Sequence, residues 1–230
     1  MTGEPDGTAA DREWLINQIA HALRNPIFAA SVQAESLLLR AADPEAVTRT
    51  TEALRGQLDR LAVSIDEMLL YGRPVRAAIG PVAVDELLAS LAERYRAGIR
   101  EEPAAVAVEV DRGLVARWDR DAVAVILERL LDNAVQHTGA PHEVRLSARR
   151  CGSGQVELAV ADGGSGIPPE LLDRVTLPFF PQHSGRPGLG LAIVDKFVRF
   201  LGGRVEIESR PGAGTVVRCI LPESADGAAV

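Results

Sequence analysis

Four short stretches hold residues whose types and spacing could do chemistry. The first is His21-Ala22-Leu23-Arg24-Asn25-Pro26, inside a helical pattern. At about 100° per residue, His21 falls roughly opposite Leu23 and away from the Ile16, Leu23 and Ile27 stripe, so it faces solvent. Asn25, four residues on, shares that face. Pro26 removes a backbone N–H and frees a carbonyl one turn back, which predicts a kink beside His21. An imidazole that is largely unprotonated near neutral pH is a competent nucleophile. The second stretch, Asp162-Gly163-Gly164-Ser165-Gly166-Ile167-Pro168, follows a strand. Asp162 offers a carboxylate at the strand's end, and Gly164 and Gly166 let a ligand approach the backbone. The third, Gly188-Leu189-Gly190, opens a helix whose first N–H groups make an anion site. Leu177–Pro187, between them, is rich in Pro and Gly and carries His183 and Arg186, a composition suited to a mobile lid. The fourth is Asp132-Asn133-Ala134, near the end of an amphipathic helix, where the Asn133 oxygen can ligate Mg²⁺. Each is commonplace alone; their order and spacing make them specific.

The elements that must position these residues fall into two parts. From Asp11 to Tyr71 the pattern is helical, with Ile16, Ile19, Leu23, Ile27, Ala30, Ala34 and Leu37 at three- and four-residue steps. After a break at Ala41–Pro44, where Asp43 is a natural N-cap and Pro44 a first helical residue, a second helix repeats Val47, Thr51, Leu54, Leu58, Leu61, Ile65 and Met68. That seam implies lengthwise packing, and two helices bury one stripe poorly, so a homodimer forming a four-helix bundle is expected. Gly72-Arg73-Pro74 and Gly80-Pro81 mark a linker. Beyond it, Asp85 and Asp119 are read as helix caps, and Ala105–Asp111, Glu143–Arg149, Gln155–Ala161, Arg204–Ser209 and Thr215–Leu221 alternate as strands. A helix is expected near Leu189–Leu201. The fold class is α+β: a helical hairpin over residues 11–72, a linker over 73–81, and an α/β sandwich with helices on one face of a mixed sheet over 82–222. Residues 1–10 read as a disordered lead and 223–230 as a tail.

Composition bounds the function. The chain has 230 residues and a net charge of −7, so general nucleic-acid binding is not expected. Aromatics make up 4%, so the cores must be built from Ala, Val, Leu and Ile. Two cysteines, Cys151 and Cys219, fit free thiols in a reducing cytosol. No apolar run is long enough to cross a bilayer and no signal peptide is evident, so a cytoplasmic location is expected.

The ordered set of motifs resembles the transmitter core of two-component sensor histidine kinases over about Trp14–Pro222. By that resemblance, the hairpin is the dimerisation and phosphoacceptor domain with His21 at the phosphorylated position. The second part is an ATP-binding domain of the gyrase, chaperone, histidine-kinase and mismatch-repair type. Asn133 then matches the Mg²⁺-ligating asparagine, and Asp162 the aspartate that reads the adenine amino group. Gly164 and Gly166 match the first glycine box, Phe179-Phe180 the aromatic box, and Gly188, Leu189 and Gly190 the second glycine box, with Arg186 expected on the nucleotide. The partners implied are a second copy and a response-regulator receiver domain. With no sensor segment in the sequence, input is expected from a separate sensory partner or from residues outside this chain.

Three positions depart from the family's pattern. Ala22 stands where the family has the acidic general base, and a methyl group accepts no proton. Arg129 replaces an earlier asparagine of the nucleotide-binding helix, and Gln136 replaces a lysine, which removes a cation from the phosphates. Asn25 retains the amide that positions water for dephosphorylating the regulator. Two readings stay open. One is an autokinase that phosphorylates His21 from ATP and passes the phosphoryl group to a regulator aspartate. The other is a kinase-poor dimeric phosphotransfer or phosphatase protein with a degenerate nucleotide site.

Overall fold

A computed structural model describes residues 7–39, 43–75, 78–97, 105–138, 143–152, 154–180 and 187–225. The chain divides into two compact units, Met1–Gly72 with Phe179–Leu189, and Arg73–Pro178 with Gly190–Val230.

In the first unit, α1 (Gly7–Leu39) and α2 (Pro44–Gly72) pack lengthwise. The start of α2 follows from local chemistry. Asp43 Oδ1 accepts the Glu45 and Ala46 N–H groups, each at 3.1 Å, and Pro44 takes the position where no N–H is needed. The helix α1 begins at Gly7, inside the segment read as a lead, because extending a formed helix is cheap once it is nucleated. It runs through Pro26 without ending. Two helices leave much apolar surface outside: Ile16, Ile27, Phe28, Val32, Leu58, Ile65 and Leu69 all stay exposed. Within the same unit the Phe179 ring meets Trp14 edge to face, with centroids 6.0 Å apart.

The second unit runs β1 (Ile79–Ala83), α3 (Val84–Arg96), β2 (Ala105–Val110), β3 (Val115–Asp119), α4 (Arg120–His137), β4 (Glu143–Cys151), β5 (Gln155–Asp162), α5 (Gly190–Phe200), β6 (Arg204–Ser209) and β7 (Thr215–Pro222). Its main sheet has the order β2-β4-β5-β7-β6, with β2 parallel to β4 and every other pair antiparallel. The three helices pack on the sheet and bury Val106, Val144, Leu146 and Ala148, while Glu143, Arg149 and Arg150 on β4 stay exposed. The core is aliphatic, as the composition requires: Leu88, Leu127, Leu131, Leu158 and Ile193 are wholly buried. Each such side chain stabilises the fold by about 1.5–3 kcal/mol. Trp118 is the large exception. It is fully buried, and its Nε1–H donates to the Pro222 carbonyl at 2.6 Å.

Three readings are corrected here. Part of the segment read as linker is strand: β1 pairs antiparallel with β3, and β1 lay hidden because Gly80-Pro81 reads as a breaker. Pro81 is tolerated there on an exposed position of a two-stranded pair. The start of the tail is structured as well, since the Ala225 N–H donates to the Arg117 carbonyl at 2.9 Å and Ala225 is buried. Finally, α3 starts at Val84, whose N–H donates to the Leu114 carbonyl, so Asp85 sits inside the first turn rather than capping it.

Candidate functional site

His21 and Asn25 lie exposed, one turn apart, on α1, with Ala22 half-buried beside them. Pro26 has no N–H for the Ala22 carbonyl four residues back, so a bare acceptor lies next to His21. No carboxylate occupies position 22. The hairpin therefore presents a solvent-accessible imidazole with an amide on the same face.

The glycine loop of the second unit is fixed from several sides. β5 delivers Asp162 to the sheet's end opposite Thr215 of β7. Asp162 Oδ1 accepts the Gly164 N–H at 2.8 Å, and the Ser165 N–H donates to the His137 carbonyl, at the last turn of α4, at 3.3 Å. A Cβ on Gly164 would collide with the His137 carbonyl and with the Asp162 carboxylate, so glycine is required by space. Gly166 has φ 69° and its missing Cβ would strike the Arg210 carbonyl, so both shape and conformation demand glycine there. The Gly212 N–H donates to the Ser165 carbonyl at 2.7 Å, tying the loop to the β6–β7 turn. Burial pushes the Asp162 carboxyl above its ordinary value, opposed by backbone hydrogen bonds from Gly164 and Thr215 and by the nearby His137. A half-buried carboxylate with defined donors suits recognition of an N–H-bearing ligand edge.

The helix α4 carries Asn133 half-buried, one turn before His137. Its N-terminus is fixed by Asp119, whose Oδ1 accepts the Ala122 N–H at 2.8 Å, as the cap reading expected. Asp119 Oδ2 also accepts the Ala78 N–H at 2.6 Å, which joins the cap to the entry of β1. Among the described residues no cluster of His, Cys, Asp and Glu could hold a metal by itself. Asp132, next to Asn133, is committed inward, accepting the Tyr95 hydroxyl at 2.7 Å. A lone amide oxygen fits a Mg²⁺ that keeps its waters and is held mostly by a ligand's phosphates, not a caged ion.

At the second glycine box, Gly190 starts α5 with open space where a Cβ would stand. Gly188 and Leu189 group with the hairpin's unit; Gly188 has φ 71° against the Phe180 carbonyl, and Leu189 is wholly buried, so only its backbone can meet a ligand. Arg186 and His183 lie outside the described residues. A 660 Å³ cleft reaches Asp162 and Gly163, but it is lined otherwise by Arg96 and the starts of β2 and β4 and includes neither Asn133 nor Gly190. Sequence reasoning missed the supports behind the loop. Ser209 Oγ accepts the Ile167 N–H at 2.8 Å and lies 2.9 Å from both the Gly214 carbonyl and Thr215 Oγ1. The Gly-rich segment over residues 210–214, between the last two expected strands, is the signal that could have pointed to them.

Residues 118–225 match the family model described as histidine kinase-, DNA gyrase B-, and HSP90-like ATPase. The chain is 29% identical over 227 residues to the sensor-like histidine kinase SenX3 of Mycolicibacterium smegmatis, covering 94% of this chain and 59% of that protein. The crystal structure of full-length ShkA in complex with AMPPNP superposes with a TM-score of 0.67 at 27% identity, covering 95% of this chain and 47% of that one. The histidine kinase ThkA, solved in complex with the response regulator protein TrrA, shares the fold with a TM-score of 0.76 at 23% identity, over 96% of this chain and 62% of that one. The chain thus spans 28% to 59% of the length of the curated relatives it matches here.

Proposed function

We propose that this chain, a helical hairpin followed by a unit that matches the histidine kinase-, DNA gyrase B-, and HSP90-like ATPase model, is a sensor histidine kinase transmitter that transfers the γ-phosphoryl group of ATP to His21 and on to a regulator aspartate. The observation that carries this reading is the pairing of an exposed His21–Asn25 face with an Asp162–Gly164–Gly166 loop built so closely that no side chain fits at 164 or 166.

In this reading Asp162 accepts from the adenine amino group, and Asn133 supplies one oxygen to the Mg²⁺ that the phosphates carry. By the sequence resemblance, the phosphates are assigned to Gly188–Gly190 and to Arg186, which lies outside the described residues. An imidazole nitrogen of His21 forms the new P–N bond as the bond from the γ-phosphorus to the β-phosphate oxygen breaks, and ADP leaves. The imidazole proton passes to water or a phosphate oxygen, since Ala22 accepts none. General bases contribute typically 10²–10⁴-fold, so the autokinase is slow by about that factor. Asn25 orients the water that dephosphorylates the regulator. The partner proposed is the receiver domain of a response regulator; ThkA is solved in complex with a response regulator protein. A second copy of the hairpin covers Ile27, Val32, Leu58 and Ile65 in a homodimer. Among the described residues no helix is long and apolar enough to cross a membrane, and a receiver-domain partner would require this region to face the cytoplasm.

The test is transfer of label from γ-labelled ATP. Acid-labile phosphate should appear on the wild type and vanish in His21→Ala; label that survives this substitution overturns the assignment. A second reading, a kinase-poor phosphotransfer or phosphatase protein, is favoured specifically by Ala22 and Gln136. Calorimetric titration with Mg²⁺ and a non-hydrolysable ATP analogue separates the two, since absence of heat at millimolar nucleotide supports the second.

A further inference from the structure

One buried polar chain next to Asn133 has no part in the function proposed above. The Tyr95 hydroxyl, on α3, donates to Asp132 Oδ1 at 2.7 Å, and Tyr95 is buried. Asp132 Oδ2 faces Arg129 Nη1 at 3.5 Å, with the two side chains only 4% and 16% exposed. A buried carboxylate bonded from behind holds the guanidinium in one place, whereas a solvated arginine would sample many rotamers.

Arg129 stands in a telling position along α4. The loop Asp162–Gly166 abuts the last turn of that helix through the His137 carbonyl. Asn133 lies one turn back from His137 and Arg129 one turn further, about 6 Å per step at 1.5 Å per residue. Arg129, Asn133 and Gln136 fall within about 60° of arc, on one face of the helix. A nucleotide with its base at Asp162 and its Mg²⁺ at Asn133 therefore runs its phosphates toward Arg129. Of the Lys and Arg residues in α4, only Arg120 and Arg129 exist, and Arg120 is more than three turns from Asn133. Gln136 brings no charge.

We propose that Arg129, preset by Tyr95 and Asp132, contacts the terminal phosphate and makes this site prefer nucleoside triphosphate over diphosphate. The proposal rests on reading the second unit as an ATP site. A guanidinium presents five donors in a planar fork, so a carboxylate and a phosphate can engage different edges of it.

The test is calorimetric titration of the whole chain with Mg²⁺·AMPPNP and with Mg²⁺·ADP. Arg129→Gln should lower triphosphate affinity by about tenfold or more while leaving ADP within about threefold, the scale of one charge-assisted contact. Because Arg129→Gln leaves a buried carboxylate without its cation, the double variant Arg129→Gln/Asp132→Asn is measured as well and should show the same loss of preference. Arg129→Lys should recover part of it, and Tyr95→Phe should weaken triphosphate binding in the same direction by less. A double variant that keeps the wild-type preference, or that loses both nucleotides equally, overturns the inference alone. A wild-type protein that binds neither nucleotide overturns the ATP reading and this inference together.

Discussion

Gly163 and Gly164 are adjacent, share a loop and differ in one respect that gives opposite expectations for the same substitution. A Cβ on Gly163 meets nothing within 4 Å, whereas one on Gly164 overlaps the His137 carbonyl and the Asp162 carboxylate. Gly164→Ala must therefore shift the loop off the end of α4, straining the 2.8 Å bond to Asp162 Oδ1 and the 3.3 Å bond from Ser165 to His137. Overpacking costs about 1–3 kcal/mol, and a hydrogen bond to a charged acceptor contributes about 1.5–3 kcal/mol. Partial relaxation keeps the sum near 2–3 kcal/mol, which for a protein of this size lowers Tm by about 4–12 °C. Since the displaced carboxylate is the group assigned to the base, nucleotide affinity should fall by about 10- to 100-fold as well. Gly163→Ala should change Tm by less than about 2 °C and leave binding within twofold. Scanning calorimetry without nucleotide, followed by titration with Mg²⁺ and a non-hydrolysable ATP analogue, reads both quantities. Equal effects at the two positions would refute the steric argument, and an unaltered affinity in a destabilised Gly164→Ala would remove Asp162 from the binding site.

Other expectations follow from single groups. Burial raises the Asp162 carboxyl, so its ionisation in the folded state opposes stability; that burden is absent below the unfolded value of about 3.9 and complete above the raised folded value. Asp162→Asn should accordingly melt higher than wild type at pH 7, with the difference vanishing as pH falls below about 4, even as nucleotide binding is lost. The Cys219 thiol is wholly buried and pushed up to about 12, while Cys151 is partly exposed. Iodoacetamide at pH 8 should thus label one thiol in the native protein and two after unfolding, counted by intact mass. Ala22→Glu should speed autophosphorylation at least about tenfold in the label-transfer assay, and no gain would mean that the missing base does not limit the reaction.

Much of this architecture was legible because its signals are local. Asp43-Pro44 and Asp119 announce their helices through side chains that cap the next few N–H groups. The strands β4 and β6 alternate because one face of the sheet is covered by helices and the other is exposed, whereas β5 is buried throughout Val156–Val160 and was legible from its apolar run between turn residues. β1 and β3 were not legible. Each has five residues, one contains Pro81, and their pairing joins segments more than thirty positions apart. The Asp85 cap failed for a similar reason: a distant carbonyl, that of Leu114, captures the Val84 N–H and starts α3 earlier.

The sequence by itself determined the candidate residues for the proposed chemistry: His21 with Asn25 at helical spacing, Asp162 with its glycines after a strand, and Asn133 on an amphipathic helix. Those assignments depend on residue type, period and order, all of which are properties of the linear chain. Only the tertiary structure decided what each glycine excludes and what holds each polar group. Gly164 is indispensable because the carbonyl of His137 arrives beside it, and Arg129 is held because Tyr95 reaches Asp132 across from α3. Such contacts join positions that no local pattern couples, since packing brings them within bonding distance without leaving a periodic trace in the sequence.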